Sequence, residues 1–116
     1  MIRTGRIYDA PTPDDGYRLL TMRLWPRGVR KDAVDAWEKE LGPSRELLRA
    51  FQSGDVDWRE YTRRYRAEIS EKPDLLDAVA RRAKRGTVTL ICWCKDASRC
   101  HRTLLSEIVG QRMANG

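Results

Sequence analysis

Short apolar runs near the two ends of the chain define the predicted strands. Residues 87–93, TVTLICW, form a β-branched and apolar run that follows a glycine, which is typical of a buried strand. Residues 17–25, YRLLTMRLW, predict a second and longer strand, and weak alternation over residues 2–9 predicts a short edge strand. We expect strand 17–24 to lie near strand 87–93.

Apolar positions recur at helical spacing in the rest of the chain, and each such segment begins with a residue that commonly caps or starts a helix. The predicted helices are a segment that Asp32 caps and that runs to Leu41, a short segment after Ser44, residues 58–72 after Asp57, a segment from Pro73 to Gly86, and a last segment that begins near Arg99. A strand that returns after several helices suggests a crossover connection. The sequence therefore predicts one α/β domain over residues 1–116, a small three-layer fold with a short, partly parallel sheet flanked by helices.

Every cysteine and the only histidine lie in one strand–loop–helix segment, residues 87–109. They are Cys92, Cys94, Cys100 and His101, and Arg99 and Arg102 flank the last two. Ligands of α/β proteins bind beyond the carboxyl ends of strands, and the N-terminus of a helix attracts anions. We expect the functional site in this segment.

Three kinds of chemistry are compatible with this segment. The C-x-C-x5-C-H spacing could form a zinc site, but it lacks a C-x2-C pair, and adjacent Cys and His rarely bind one metal. We therefore assign no metal ligand and no cofactor. A thiolate at Cys100 or Cys94 could act as a nucleophile with His101 as acid or base, although the loop does not match a Cys-based phosphatase, which needs Arg six residues after the nucleophile. In the third interpretation, Arg99, Arg102 and His101 bind a phosphate or carboxylate without a covalent step.

The end of the second predicted strand carries a second basic loop, Trp25-Pro-Arg-Gly28. If the two strands are neighbours, this loop and residues 95–102 lie on one rim. Cys100 and His101 are the catalytic candidates of this rim. Its ligand-binding candidates are Arg23, Trp25, Arg27, Arg99 and Arg102.

The overall charge favours an anionic partner. The formal net charge is +6, and 18 of the 23 basic residues are Arg, which suits bidentate binding of phosphate or carboxylate. No apolar run approaches the roughly 18 residues of a membrane span, and residues 1–9 do not resemble a signal peptide. We expect a cytoplasmic protein without a membrane partner, and three cysteines argue against a disulfide framework.

Two further interpretations use other residues. Arg59, Arg63 and Arg66 share a face of the predicted helix 58–72 beside Tyr61 and Tyr65, and basic residues interleaved with aromatic ones can bind nucleic acid. The alternative function is therefore a nucleic-acid-binding module. A second alternative is a redox or zinc-linked regulatory protein that uses the three cysteines.

The motifs together resemble the uncharacterised YeaO-like family, domain-of-unknown-function family 488. The resemblance rests on Tyr8-Asp9, Asp15-Gly16-Tyr17-Arg18, Arg23-Leu-Trp-Pro-Arg-Gly28, Trp37, Pro43-Ser44, Tyr65-Arg66, Leu90-Ile-Cys92 and Cys100-His-Arg102. It implies a small three-layer α/β fold in a bacterial cytoplasm and no established reaction. Two positions depart from the family pattern: Met22 stands where relatives commonly have Asp, and Cys94 stands where they often have an acidic or other residue.

These observations predict that the chain binds an anionic, phosphate-bearing small molecule at the Cys-His-Arg segment. If the protein is an enzyme, a hydrolase or transferase that acts on a phosphorylated or thiol-reactive substrate fits best.

Overall fold

The computed structural model describes residues 1–115, which form four strands, four α-helices and four short 3-10 turns. The strands are β1 (Ile2–Arg6), β2 (Tyr17–Leu20), β3 (Ala36–Trp37) and β4 (Val88–Cys92). The helices are α1 (Arg45–Gln52), α2 (Trp58–Ser70), α3 (Pro73–Arg85) and α4 (His101–Asn115). The 3-10 turns are Pro13–Asp15, Lys31–Ala33, Lys39–Leu41 and Ala97–Arg99.

The strands form one sheet in the order β1-β4-β2-β3, and all three pairings are parallel. Strand β4 lies between β1 and β2, and its five residues are all buried, as the apolar run predicts. The predicted α/β class and the predicted neighbourhood of β2 and β4 are confirmed. Because the strands are parallel, their carboxyl ends lie together along one side of the sheet, the carboxyl-end edge. Strand β1 is the outermost strand next to β4, as the sequence predicts.

The two faces of the sheet pack against two different clusters of hydrophobic residues. Neighbouring residues of a strand point to opposite faces, and Leu90 belongs to a large cluster to which all four helices contribute. The next residue, Ile91, belongs to a smaller cluster with Ile7 and Leu20. Partly buried residues that follow β2 pack against this second cluster: Met22, Trp25, Val29, Ala33 and Val34.

Three predicted helix starts agree with the structure. The side chain of Ser44 accepts a hydrogen bond from the Leu47 N–H at the start of α1, and Asp57 accepts one from the Glu60 N–H at the start of α2. Pro73 occupies the first turn of α3, where its missing N–H costs nothing. The last helix begins at His101, directly after a 3-10 turn over Ala97–Arg99.

The helix predicted from Asp32 to Leu41 is wrong. This segment instead contains two 3-10 turns and the two-residue strand β3. Unpaired groups of β2 explain the difference: the Asp35 N–H donates to the Arg18 carbonyl, and the Glu38 N–H donates to the Leu20 carbonyl. Pairing with the sheet therefore replaces the local helical hydrogen bonds. Strand β2 is also shorter than predicted and ends at Leu20, so Met22 to Trp25 belong to a loop.

No helix within residues 1–115 is both long and apolar enough to cross a membrane.

Candidate functional site

A cavity of about 240 Å³ opens at the carboxyl-end edge of the sheet. The loop after β2 supplies residues 22–24, the end of β4 and the following loop supply residues 92–94, and α1 and α2 supply the opposite wall. Most of the lining is apolar, and its basic side chains are Arg23 and Arg99. No acidic residue of the described chain lines it. Ligand sites of small proteins share this character of an apolar wall with a few polar groups.

The three cysteines converge on the floor of this cavity. Cys92 and Cys94 lie two residues apart at the end of β4, and their Sγ atoms are 3.5 Å apart. Cys100 ends the 3-10 turn after the loop and returns its thiol to the same place. The three Sγ atoms lie within 4.8 Å of one another, and all three thiols are free.

The cysteines differ in exposure and in pKa. Hydrogen bonds from the Cys100 and Cys92 thiols, together with the charge of Arg102, lower the pKa of Cys94 to about 3. A hydrogen bond with Cys100 favours the Cys92 thiolate, but donation to Cys94 and burial outweigh it and raise the pKa of Cys92 to about 11. Hydrogen bonds to the other two sulfurs and burial raise the pKa of Cys100 well above its usual value. Of the three thiols, the half-buried Cys94 is therefore the one whose surroundings favour the thiolate.

His101 is buried at the start of α4, and its two ring nitrogens have separate partners. Nε2 lies 2.7 Å from the Thr21 carbonyl oxygen. A carbonyl can only accept, so Nε2 carries the proton. Burial lowers the pKa of His101, which keeps the ring neutral at pH 7. Nδ1 is then an acceptor, and it lies 3.9 Å from the sulfurs of both Cys92 and Cys100.

Arg102 is a buried cation behind the cysteines. Its exposed fraction is 4%, and its Nη1 donates to the Cys94 carbonyl oxygen at 2.9 Å. Its Nε is buried without a hydrogen-bond partner, and it forms no ion pair within residues 1–115. Burial of an unpaired charge is costly, and the charge of Arg102 is one of the causes that lower the pKa of Cys94.

The two arginines of the cavity have different surroundings. Arg23 donates to the Pro43 and Gly42 carbonyl oxygens and pairs with Glu40 at 3.2 Å, so its guanidinium holds the loop before α1 in place. Arg99 is exposed at the cavity wall and has no ion pair within the part of the chain that the structure describes. Arg99 is therefore the cation that a ligand in the cavity can reach.

Trp25 and Arg27 lie outside the cavity lining. The Trp25 indole donates to the Val29 carbonyl oxygen at 2.9 Å and meets the Trp37 ring edge-on, with 5.4 Å between ring centroids. Arg27 is exposed, and its carbonyl oxygen accepts a hydrogen bond from the Tyr8 hydroxyl. Of the seven candidate site residues, the structure brings Arg23, Arg99, Cys100 and His101 into the cavity lining and places Arg102 behind it.

The arginine face of α2 is largely engaged within the protein. Arg63 pairs with Glu60 at 2.7 Å, and Arg66 pairs with Glu107 of α4 at 3.0 Å. The tyrosines beside them, Tyr61 and Tyr65, are buried in the main core and cannot stack on bases. Only Arg59 of the three predicted nucleic-acid contacts is exposed without an ion pair in residues 1–115.

Comparison with known proteins identifies the family. A family model described as "Active DUF488-N3 subclade" matches residues 2–113. The chain is 37% identical over 108 residues to the uncharacterized protein YeaO of Escherichia coli K12, which covers 91% of this chain and 94% of that protein. It is 31% identical over 113 residues to the uncharacterized protein Rv3073c of Mycobacterium tuberculosis H37Rv, which covers 96% of this chain and 95% of that protein. The chain belongs to the YeaO-like DUF488 family.

A protein called Mb3100c in Mycobacterium bovis shows the same 31% identity over 113 residues to this DUF488 protein. No solved structure matches the chain significantly. These relatives are named only as uncharacterized proteins, so their names assign no role to the site of this DUF488 protein.

Sequence reasoning missed one wall of the cavity. This wall consists of Leu48, Phe51 and Gln52 of α1 and Tyr61 of α2. The helical spacing of the apolar residues among them predicted only that they belong to the core. Nothing local distinguishes a residue that packs against the core from one that also faces a cavity. Their role in this DUF488 protein depends on how α1 and α2 approach the sheet edge.

Proposed function

We propose that this DUF488 protein binds an anionic, phosphate-bearing small molecule in the cavity at the carboxyl ends of β2 and β4. The observation that carries the proposal is Arg99, which lines the cavity, is exposed and has no ion pair within the described residues, while no carboxylate of those residues lines the cavity. A guanidinium forms charge-assisted hydrogen bonds with phosphate oxygens. The unpaired guanidinium of Arg99 therefore favours a ligand that carries a phosphate group.

The position of α4 supports the same proposal. Cys100 and His101 line the cavity and stand at the start of this 15-residue helix. The N-terminus of a helix carries the positive end of its dipole. Arg99 precedes it, so a phosphate group beside Arg99 would also experience the field of α4.

The apolar wall of the cavity indicates the chemical character of the part of the ligand that does not carry the phosphate. Leu24, Phe51 and Trp93 lie around the same cavity as Arg99. A ligand that places its phosphate on Arg99 and a flat or apolar group against these side chains buries both parts. Nucleotides and other aromatic phosphates combine the two features, whereas inorganic phosphate uses only the first.

The geometry supports binding more directly than catalysis by Cys100. Its thiol is 1% exposed, and its raised pKa keeps it protonated at neutral pH. A protonated and buried thiol is a poor nucleophile. Cys100 and His101 therefore form the cavity floor in this proposal, and a hydrolase or transferase reaction is not part of it.

The test is a binding measurement on matched arginine variants. Nucleoside monophosphates, phosphosugars and inorganic phosphate are titrated by calorimetry into wild-type protein, Arg99→Gln and Arg81→Gln. Arg81 is exposed on α3, whose carboxyl end leads into the amino end of β4, away from the cavity. Loss of one charge-assisted hydrogen bond is worth about 1.5–3 kcal/mol, so Arg99→Gln should weaken binding by roughly 10- to 100-fold and Arg81→Gln should not.

Two results would contradict the proposal. One is that no phosphate compound binds the wild-type protein. The other is that Arg99→Gln and Arg81→Gln weaken binding equally, which would indicate a general effect of net charge.

A further inference from the structure

Three thiol sulfurs and one imidazole nitrogen converge at the floor of the cavity. The Cys92 and Cys94 sulfurs are 3.5 Å apart, and His101 Nδ1 lies 3.9 Å from Cys92 Sγ and 3.9 Å from Cys100 Sγ. In tetrahedral zinc sites, Zn–S distances of about 2.3 Å and Zn–N distances of about 2.0–2.1 Å place neighbouring donor atoms about 3.5–3.8 Å apart. These three separations match this spacing to within a few tenths of an ångström. The three sulfurs all lie within 4.8 Å of one another, whereas His101 is not within that distance of all three, so its ring closes the site by a small shift towards Cys94.

We propose that Cys92, Cys94, Cys100 and His101 form a Zn²⁺ site with three thiolate ligands and one imidazole ligand. This inference goes beyond the proposed anion binding and does not rest on it. Thiolate and imidazole are the ligands that Zn²⁺ prefers, and an S₃N set excludes the hard cations Mg²⁺ and Ca²⁺.

The partner of the other His101 nitrogen supports the metal site. A metal-bound histidine almost always donates its second ring N–H to a carboxylate, carbonyl or water, which holds the ring in the tautomer that the metal needs. His101 Nε2 donates to the Thr21 carbonyl oxygen at 2.7 Å. The lone pair on Nδ1 is therefore already directed towards the sulfurs without any change of tautomer.

The charge of a zinc complex at this cluster would be balanced by a neighbouring arginine. A Zn²⁺ ion bound by three thiolates and one neutral imidazole forms a complex with a net charge of −1. Arg102 supplies the opposite charge: it is 4% exposed, contacts the Cys94 carbonyl, and has no carboxylate partner in residues 1–115. A thiolate–zinc centre would give this buried cation a permanent counterion.

The backbone removes the objection that adjacent Cys and His rarely bind one metal. Cys100 has extended φ and ψ angles of −133° and 142°, and α4 begins only at His101. This change of conformation between the two residues turns the Cys100 sulfur and His101 Nδ1 towards each other, at 3.9 Å. Cys92 is the last residue of β4, and Cys94 in the loop after it brings its sulfur to 3.5 Å from that of Cys92.

The first test measures the metal directly. Protein purified in reductant without chelator is passed through gel filtration and analysed by mass spectrometry for zinc per chain, beside Cys94→Ser and Arg99→Gln. Cys94 is the most exposed of the three cysteines, so its serine variant disturbs the core least. We expect one zinc per chain in the wild type and in Arg99→Gln, and none in Cys94→Ser.

The second test uses the absorption spectrum of bound cobalt. Titration of metal-free protein with Co²⁺ should give sulfur-to-cobalt charge-transfer absorption and the intense visible bands of a tetrahedral site, and Zn²⁺ should remove both. In His101→Ala the visible bands should shift as nitrogen leaves the ligand set. Competition with a chelator should show zinc affinity reduced by more than about 100-fold in Cys94→Ser, because even changes outside the ligand set cost 10- to 100-fold.

The zinc proposal is overturned if wild-type protein retains no more zinc than Cys94→Ser and Co²⁺ produces no charge-transfer band. Because Arg99→Gln tests anion binding and Cys94→Ser tests zinc, failure of one proposal can be told from failure of the other.

Discussion

Tyr65 shows how much a single buried hydroxyl contributes to the fold. Its side chain is fully buried, and its hydroxyl donates to the Leu41 carbonyl oxygen at 2.7 Å, which ties α2 to the loop before α1. Tyr65→Phe keeps the ring but leaves that carbonyl without its donor. We expect the free energy of unfolding to fall by about 1–2 kcal/mol, measured by urea denaturation.

Tyr61 is the matched control for this prediction. It is similarly buried on the same helix face, and its hydroxyl has no hydrogen-bond partner in residues 1–115. Tyr61→Phe should change the free energy of unfolding by less than about 0.5 kcal/mol. Equal effects of the two substitutions would show that the Tyr65 hydrogen bond contributes nothing specific.

Single residues also show where prediction of the site reaches its limit. The position of Cys92, Cys94, Cys100 and His101 in one strand–loop–helix segment was enough to predict that their side chains come together, because all four are close in sequence. The hydrogen-bond partner of His101 and the burial of Arg102 could not be predicted from the sequence in the same way. The donor to the Thr21 carbonyl and the burial of Arg102 depend on residues about 80 positions away or on packing, and no local pattern carries them.

Gly16 occupies the junction between the first 3-10 turn and β2, where the chain allows no side chain. Its φ is +62°, and a Cβ there would lie 2.3 Å from the Thr87 carbonyl oxygen. That oxygen already accepts the Tyr17 N–H that starts the pairing of β2 with β4. Gly16→Ala therefore adds a clash to an unfavourable φ, and we expect a loss of more than about 3 kcal/mol in the free energy of unfolding.

Gly54 allows the cost of the positive φ to be measured without the cost of a steric clash. Its φ is +83°, but a Cβ there would meet nothing within 4 Å. Gly54→Ala should cost only the roughly 1–2 kcal/mol of the left-handed conformation. Urea denaturation of both variants checks the prediction, and a Gly16→Ala protein no less stable than Gly54→Ala would contradict it.

The helices that were predicted correctly are stabilised by local interactions, whereas the wrongly predicted segment, residues 32–41, is held by pairing with a distant strand. Helices α1, α2 and α3 begin at Ser44, Asp57 and Pro73, whose capping effects are local and visible in the sequence. Residues 32–41 also have apolar positions at helical spacing, but they lie beside the open edge of β2. Asp35 shows the consequence, since its carboxylate accepts the Arg18 N–H at 2.7 Å and its N–H joins the sheet. A tertiary partner of this kind cannot be read from periodicity.

At the scale of the whole molecule, the excess of positive charge is partly neutralised in ion pairs on the surface. Hydrogen bonds from Arg63 and Arg64 lower the pKa of Glu60 to about 2, and hydrogen bonds from Lys72 and Arg23 lower the pKa of Glu40. A net charge of +6 favours an anionic partner only where a cation remains unpaired. Within residues 1–115, Arg99 is one such cation, and the proposed anion binding rests on it.

The same lowered pKa values predict how stability depends on pH. A carboxyl group whose pKa is lower in the folded than in the unfolded chain stabilises the fold above the unfolded value, about pH 4, and this contribution is lost as the pH falls through the folded value. Asp15 is the most buried such group. Burial alone raises its pKa, but hydrogen bonds from the Thr12 backbone and side chain and from Arg18 outweigh burial and lower it.

Asp15→Asn tests this dependence. The free energy of unfolding is measured by urea denaturation between pH 7 and pH 2.5 for wild type, Asp15→Asn and Asp14→Asn, an exposed neighbour without an ion pair in residues 1–115. The wild type should exceed Asp15→Asn by a constant amount above about pH 5, and the difference should shrink as the solution becomes more acidic than about pH 4, because Asp15 then takes up a proton and loses its attraction to Arg18. Asp14→Asn should follow the wild type throughout. Parallel curves for wild type and Asp15→Asn down to the lowest pH would mean that the Asp15 charge does not stabilise the fold.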